Sequence, residues 1–190
     1  YTSRESDARN PLWDAENGRM TFIPYANEVA NGRLDMVYVL LGWNDVHRES
    51  YPYPSMMADC KTFLNTLHSE FPAAKVKLMG LQVCSLNGGM GANYGATGTA
   101  YADTYGTIRK VMELNAAYKD LAKSSEYSGF VEYVDIASQF DSEYNMPADD
   151  VPVNTRSSTT ERRGSNGVHP STDGYMQIAD AVFRNIVANL

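Results

Sequence analysis

A three-layer α/β/α sandwich built on a parallel sheet is the fold that this sequence predicts, on three observations. Met36 to Leu41 (MVYVLL) is an unbroken apolar run, too short to span a membrane and rich enough in β-branched and aromatic residues for a strand buried on both faces. Lys75 to Val83 (KVKLMGLQV) and Phe130 to Ile136 (FVEYVDI) are two further strand-like segments. Longer segments with apolar residues at helical spacing separate and follow these three, and such alternation is the pattern of a parallel sheet covered by helices. At 190 residues the chain suits one domain, 1–190, with a sizeable core.

Taken in order, Tyr1 to Asn10 is polar and without periodicity, and reads as loop. Pro11, Leu12 and Trp13 form a short apolar anchor, and Asp14 to Arg19 reads as a turn around Asn17-Gly18. Met20 to Val29 carries Phe22, Ile23, Tyr25, Ala26 and Val29, a short helix that Asn31-Gly32 closes before the first strand. Ser55 to Phe71 sets Met56, Cys60, Phe63, Leu64, Leu67 and Phe71 on one helical stripe, which reads as core, and Pro72 ends it. Ser85 to Ala100 holds five glycines and no charge; lacking a G-K-S/T ending, it is read as a loop at a strand's carboxyl end and not as a phosphate loop. Asp103 to Lys123 is a helix with Ile108, Val111, Met112, Tyr118 and Leu121 on one side. Asp141 to Arg163 is a long polar connection of a length more often functional or disordered than idle. Asp173 to Leu190 is the last helix, with Tyr175, Ile178, Val182, Ile186 and Leu190 on one face and Ser171 or Thr172 as its cap.

Composition narrows the function. A formal charge of −7 with no Lys/Arg cluster argues against nucleic acid as a partner. No segment is apolar over the length of a membrane span, and no signal peptide stands at Tyr1, although a chain without an initial Met reads as part of a longer or processed product. Cys60 and Cys84 fit no zinc spacing, no metal or other cofactor is implied, and a disulfide between them stays open. Thirteen tyrosines and two tryptophans are many for this length; beside a crevice they suit stacking on sugar rings, though most such residues serve the core.

Ligands of parallel α/β sheets bind beyond the carboxyl ends of the strands. Gly42, Trp43, Asn44 and Asp45 follow the first strand at that end, and Asn166-Gly167-Val168-His169-Pro170 lies just before the last helix, within reach of the same crevice. Together these stretches resemble the SGNH (GDSL-type) hydrolase family, whose Asn-bearing block reads G-x-N-D and whose last block reads D-x-x-H-P. The first block matches fully; the second has Asn166 where the family usually has Asp. The resemblance runs from about Arg33 onward. It implies a flavodoxin-like SGNH hydrolase fold, with His169 as catalytic base, Asn44 as side-chain oxyanion donor and Asn166 as the group orienting His169. Gly42, Trp43 and Asp45 would border the substrate. His47 is a weaker rim histidine and His68 sits within a helix. An amide can accept a bond from an imidazole N–H but cannot offset an imidazolium charge, so Asp141, Asp149 or Asp150 from the long connection is an alternative orienting acid.

The family's nucleophile lies in a G-D-S motif after its first strand, and this chain contains no G-D-S and no apolar strand before Met36. Ser3 and Ser6 follow nothing that would present them, while Cys84 and Ser85 end a strand at a position the family does not use. The expectation is therefore a C-terminal two-thirds of the fold. Two more strands, a helix and the serine would come from a preceding segment that pairs with Met36 to Leu41, so this chain would not fold alone. The function implied is ester hydrolysis, with O-acetyl groups of carbohydrate as substrate. The alternative is a non-catalytic glycan-binding or structural module of a larger assembly such as a phage tail, and a flavodoxin-like binding domain ranks lower for want of a phosphate loop. An extracellular or virion-associated setting goes with either of the first two, and a homo-oligomer stays open.

Overall fold

In the computed structural model, residues 10–46, 53–86 and 104–189 are described. The apolar run becomes strand β3 (Met36–Val39), preceded by a small antiparallel hairpin of β1 (Trp13–Asp14) and β2 (Arg19–Met20) and by helix α1 (Ile23–Ala30). The hairpin forms where a plain turn was expected because Asp14 organises it. Its carboxylate accepts the backbone N–H groups of Glu16 and Asn17 and the Asn17 amide. These bonds hold the Asp14 carboxyl below its ordinary value. Asn31, left-handed at φ 50°, closes α1 as anticipated.

β3 pairs in parallel with β4 (Lys75–Met79), and β4 with β5 (Val131–Val134), giving the order β3-β4-β5. Only Val39 of β3 is fully buried; Met36, Val37 and Tyr38 are half-buried, because among the described residues β3 has one strand neighbour. β4 ends four residues earlier than its apolar sequence suggests. Beyond Gly80 the side-chain amide of Asn115 takes over from the ladder, accepting Leu81 N–H and donating to Leu81 C=O, both at 2.8 Å.

Alternation along the strands splits the core. Val37, Val39, Val76, Leu78, Val131 and Tyr133 face one side, where α3 (Tyr53–Glu70) and α4 (Thr104–Lys123) supply Leu64, Leu67, Val111, Leu114, Tyr118 and Leu121. The whole stripe expected on α3 lies in this cluster. On α4 the face is rotated slightly: Leu114 is buried while Met112 is exposed. His68 of α3 stacks on Phe130, ring centroids 3.9 Å apart, and so belongs to the core. On the other side Tyr38, Met79 and Val134 meet α5 (Thr172–Ala188) through Ile178 and Ala181. The result is three layers.

On the inner face of α5, Ile178 and Val182 pack as expected, Asn185 also turns inward and Tyr175 is exposed. Asn185 turns inward because of the sheet. Lys77 is buried on this face at 3% exposure and pairs with Glu132. Asn189 accepts from Lys77 at 3.0 Å; Asn185 donates to Glu132 at 2.9 Å and accepts from Tyr38 at 2.7 Å. Asn185 thus turns inward, and Asn189, exposed at the C-cap, reaches back to Lys77, since a buried charge requires partners. Burial pushes the Glu132 carboxyl up, but the Lys77 and Asn185 bonds and the Lys77 charge outweigh it and hold it below its ordinary 4.5. A carboxylate with a lowered folded value contributes stability that is complete above 4.5 and lost as pH falls through that folded value. Glu132→Ala is expected to cost about 3 kcal/mol at neutral pH, the low end for a broken buried pair because Glu132 is half-exposed. Urea unfolding below pH 4.5 should show the gap between native and variant closing.

The stretch read as a long polar connection contains a second hairpin, β6 (Ala148–Pro152) with β7 (Thr160–Gly164). Its side chains are mostly exposed on both faces, so no alternation marks it, and backbone pairing alone defines it. Among the described residues no helix is long and apolar enough to cross a membrane.

Candidate functional site

The site is assembled where β3 and β4 run out. Gly42 has φ 111°, a region L-residues rarely adopt, and a Cβ there would stand 2.9 Å from Tyr118 Oη and 3.0 Å from Leu114 Cδ2. Only glycine turns the chain here. The Gly42 carbonyl accepts the N–H groups of Asp45 and Val46 at 3.0 Å each, which starts the short helix α2 (Trp43–Val46). Tyr118 donates to the Leu41 carbonyl at 3.2 Å from beneath, and burial pushes its phenol up, so it stays a neutral donor.

Trp43 is half-buried, and its indole N–H donates to the Val168 carbonyl at 3.0 Å. From the end of β4, the buried Gln82 approaches the same carbonyl with its amide nitrogen at 3.5 Å, while its amide oxygen has no partner among the described residues. Cys84 packs on Val168 beside Trp43 and Ile108. Three chain segments therefore converge on Val168, the residue before His169. This brings together the two blocks singled out in the sequence, G-W-N-D and N-G-V-H-P.

Within them, Asn44 is exposed and no described residue hydrogen-bonds its side chain. Asp45 is half-buried; with Gly42 it lines a small, largely apolar cavity of about 60 Å³ between β3, α3 and α4, which touches neither Asn44 nor His169. His169 is exposed between buried Val168 and buried Pro170. Asn166 accepts the backbone N–H groups of Val168 and His169 at 2.9 Å each, and its amide nitrogen stands 3.5 Å from His169 Nδ1. Ser171 caps α5 by accepting the Gly174 N–H, and both its hydroxyl and its own N–H donate to the Asn145 carbonyl, at 2.9 and 3.0 Å. The loop bearing His169 is thereby tied at both ends.

The alternative acids lie in other parts of the connection. Asp141 accepts from Glu143 and Tyr144 N–H in its own turn, and Asp149 and Asp150 lie in β6 opposite Arg163 and Arg162. The side chain next to His169 Nδ1 is that of Asn166. Ser85 is buried, and its hydroxyl donates to Glu143 at 3.0 Å. Cys60 and Cys84 do not form a disulfide with each other; burial pushes Cys60 up to about 12, as suits a core residue of α3. Ser3, Ser6, His47 and most of the glycine-rich loop lie outside the described residues. Among the described residues no group of three or more His, Cys, Asp or Glu could hold a metal ion. Sequence reasoning did not single out Gln82, Asn115 or Glu143. A polar residue inside or just after an apolar strand was the available signal for Gln82.

No family model and no curated protein matches the chain. Among solved structures, it is similar to a Bacteroides fragilis protein provisionally described as an acylhydrolase, at 16% identity and TM-score 0.54, covering 99% of this chain and 83% of that one. It is also similar to a Streptococcus pneumoniae protein provisionally described as a platelet activating factor, at 17% identity and TM-score 0.55, covering 80% of this chain. The match spans 59% of that second protein's length. Likeness at this identity concerns the fold: the chain shares the flavodoxin-like α/β architecture of these structures, with a parallel sheet covered by helices.

Proposed function

We propose that the crevice at the carboxyl ends of β3 and β4 binds an acyl ester and that the chain forms the His- and Asn-bearing part of an ester hydrolase. O-acetyl groups of carbohydrate are the proposed substrate. The observation that supports this reading is the 3.0 Å bond from Trp43 to the Val168 carbonyl, which joins the block bearing Asn44 to the loop bearing His169. In this reading a hydroxyl from a segment outside the described residues attacks the acyl carbon. His169 takes its proton and passes it to the leaving alcohol, and water then releases the acyl group by the same steps. Asn44, with its amide uncommitted, donates to the oxygen on which negative charge develops. The segment supplying the hydroxyl pairs with the open edge of β3. Trp43, committed to Val168, would act as a tie between the blocks more than as a substrate contact.

The test uses the full-length protein with p-nitrophenyl acetate and acetylated xylan. Acetate release is expected, and Asn44→Ala should lower kcat about 10²–10³-fold with little change in KM, because this bond strengthens only as the oxyanion forms. A second reading, a glycan-binding or structural module without turnover in an extracellular or virion-associated assembly, is favoured by the amide at position 166, where a carboxylate would serve His169 better. Absence of acetate release from either substrate would select it.

A further inference from the structure

Asn166 shapes the turn that carries His169, and the way it does so fixes which atom faces the ring. Its Oδ1 receives two backbone N–H groups, from Val168 and His169, at 2.9 Å each. Backbone N–H groups only donate, so the atom between them is oxygen. Turning the amide over would set NH2 against both donors and lose both bonds. The other end of the amide, Nδ2, therefore faces His169 Nδ1 at 3.5 Å. An amide nitrogen offers hydrogens and no lone pair. A protonated Nδ1 would set N–H against N–H, whereas an unprotonated Nδ1 turns a lone pair toward a donor.

We infer that Asn166 holds the resting imidazole of His169 in the tautomer with its proton on Nε2, so that the ring meets a ligand as a hydrogen-bond donor and not as a base. The inference concerns this chain's own resting state; only its consequence for rate rests on the ester-hydrolase reading. The ring of His169 makes no other hydrogen bond among the described residues, so nothing opposes this choice of tautomer. Taking a proton from a hydroxyl requires a lone pair on Nε2. The ring must then first move its proton from Nε2 to Nδ1, against the Asn166 NH2, with no net change in protons. An aspartate at 166 would keep the turn, because one carboxylate oxygen can take both backbone N–H groups, and would leave its second oxygen to accept from Nδ1–H. In the ester-hydrolase reading, the proposed crevice would then offer two donors, the Asn44 amide and His169 Nε2–H. That suits a ligand oxygen with lone pairs, such as the carbonyl of an acetyl group.

The experiment is ring ¹⁵N NMR of the histidine-labelled protein at about pH 8.5, above the ordinary imidazole range, with the His169 signals assigned by their loss in His169→Gln. The native protein is expected to show the Nε2–H form, and Asn166→Asp to show Nδ1–H. A native His169 mainly in the Nδ1–H form, or an unchanged tautomer in a folded Asn166→Asp, would overturn the inference. In parallel, Asn166→Asp should raise hydrolysis of p-nitrophenyl acetate by the full-length protein on the order of 10³-fold or more, since an amide in place of the orienting carboxylate costs about 10⁴ in a Ser-His-Asp site. A tautomer that changes with no gain in rate would uphold the inference while removing the ester-hydrolase reading.

Discussion

Gly174→Val is expected to lower stability by about 3 kcal/mol or more and to loosen the loop that presents His169, because overpacking a closed contact displaces backbone. Gly174 is buried in the first turn of α5, against the loop 140–146. A Cβ there would fall inside van der Waals contact of the Asn145 carbonyl oxygen, 2.8 Å from Pro170 Cβ and 3.1 Å from Phe140 Cε2. That carbonyl already accepts two bonds from Ser171, and Asn145 donates to Gln177 at 2.9 Å, so the loop and the helix start are locked together. A side chain at 174 cannot enter without breaking these bonds. Urea unfolding of native, Gly174→Ala and Gly174→Val should give three ordered midpoints, with valine lowest. A valine variant as stable as the native protein would mean that α5 is not seated against Asn145.

On the proposed ester-hydrolase reading, His169→Ala is expected to reduce ester hydrolysis by the full-length protein on the order of 10³-fold or more, best measured in the Asn166→Asp background where the starting rate is highest. Without the imidazole no described side chain in the crevice is placed to take the hydroxyl proton, and only oxyanion stabilisation and binding remain. Stability is a separate readout. His169 is exposed and its ring makes one long contact, to Asn166, so the substitution should leave unfolding within about 0.5 kcal/mol of native. A fall in rate with unchanged stability identifies a catalytic residue; retained rate would show that His169 takes no part in the chemistry.

The strands and helices could be read from sequence because their signals are local. The run Met36 to Leu41, the α3 stripe and the Asn31 stop each follow from residues next to one another, and each matches an element of the fold. The same local signals passed over inward polar residues whose partners lie far along the chain. The apolar period of α5 placed Ile178 and Val182 against the core, but it passed over Asn185, which bonds Tyr38 and Glu132 there, and Tyr175 is exposed. The β6–β7 hairpin escaped notice for the opposite reason: it buries little, so its sequence carries no period.

The candidate site divides in the same way. By itself the sequence determined that G-W-N-D follows a strand, that N-G-V-H-P precedes a helix, and that Asn stands three residues before His169. Chain connectivity and residue type suffice for that. Tertiary structure alone decided that Trp43 and Gln82 both reach the Val168 carbonyl, since residues 125 and 86 positions apart share no local signal. It also decided which end of the Asn166 amide faces the imidazole. Composition is silent on that point, because an amide has a donor end and an acceptor end, and two backbone N–H groups of a folded turn choose between them.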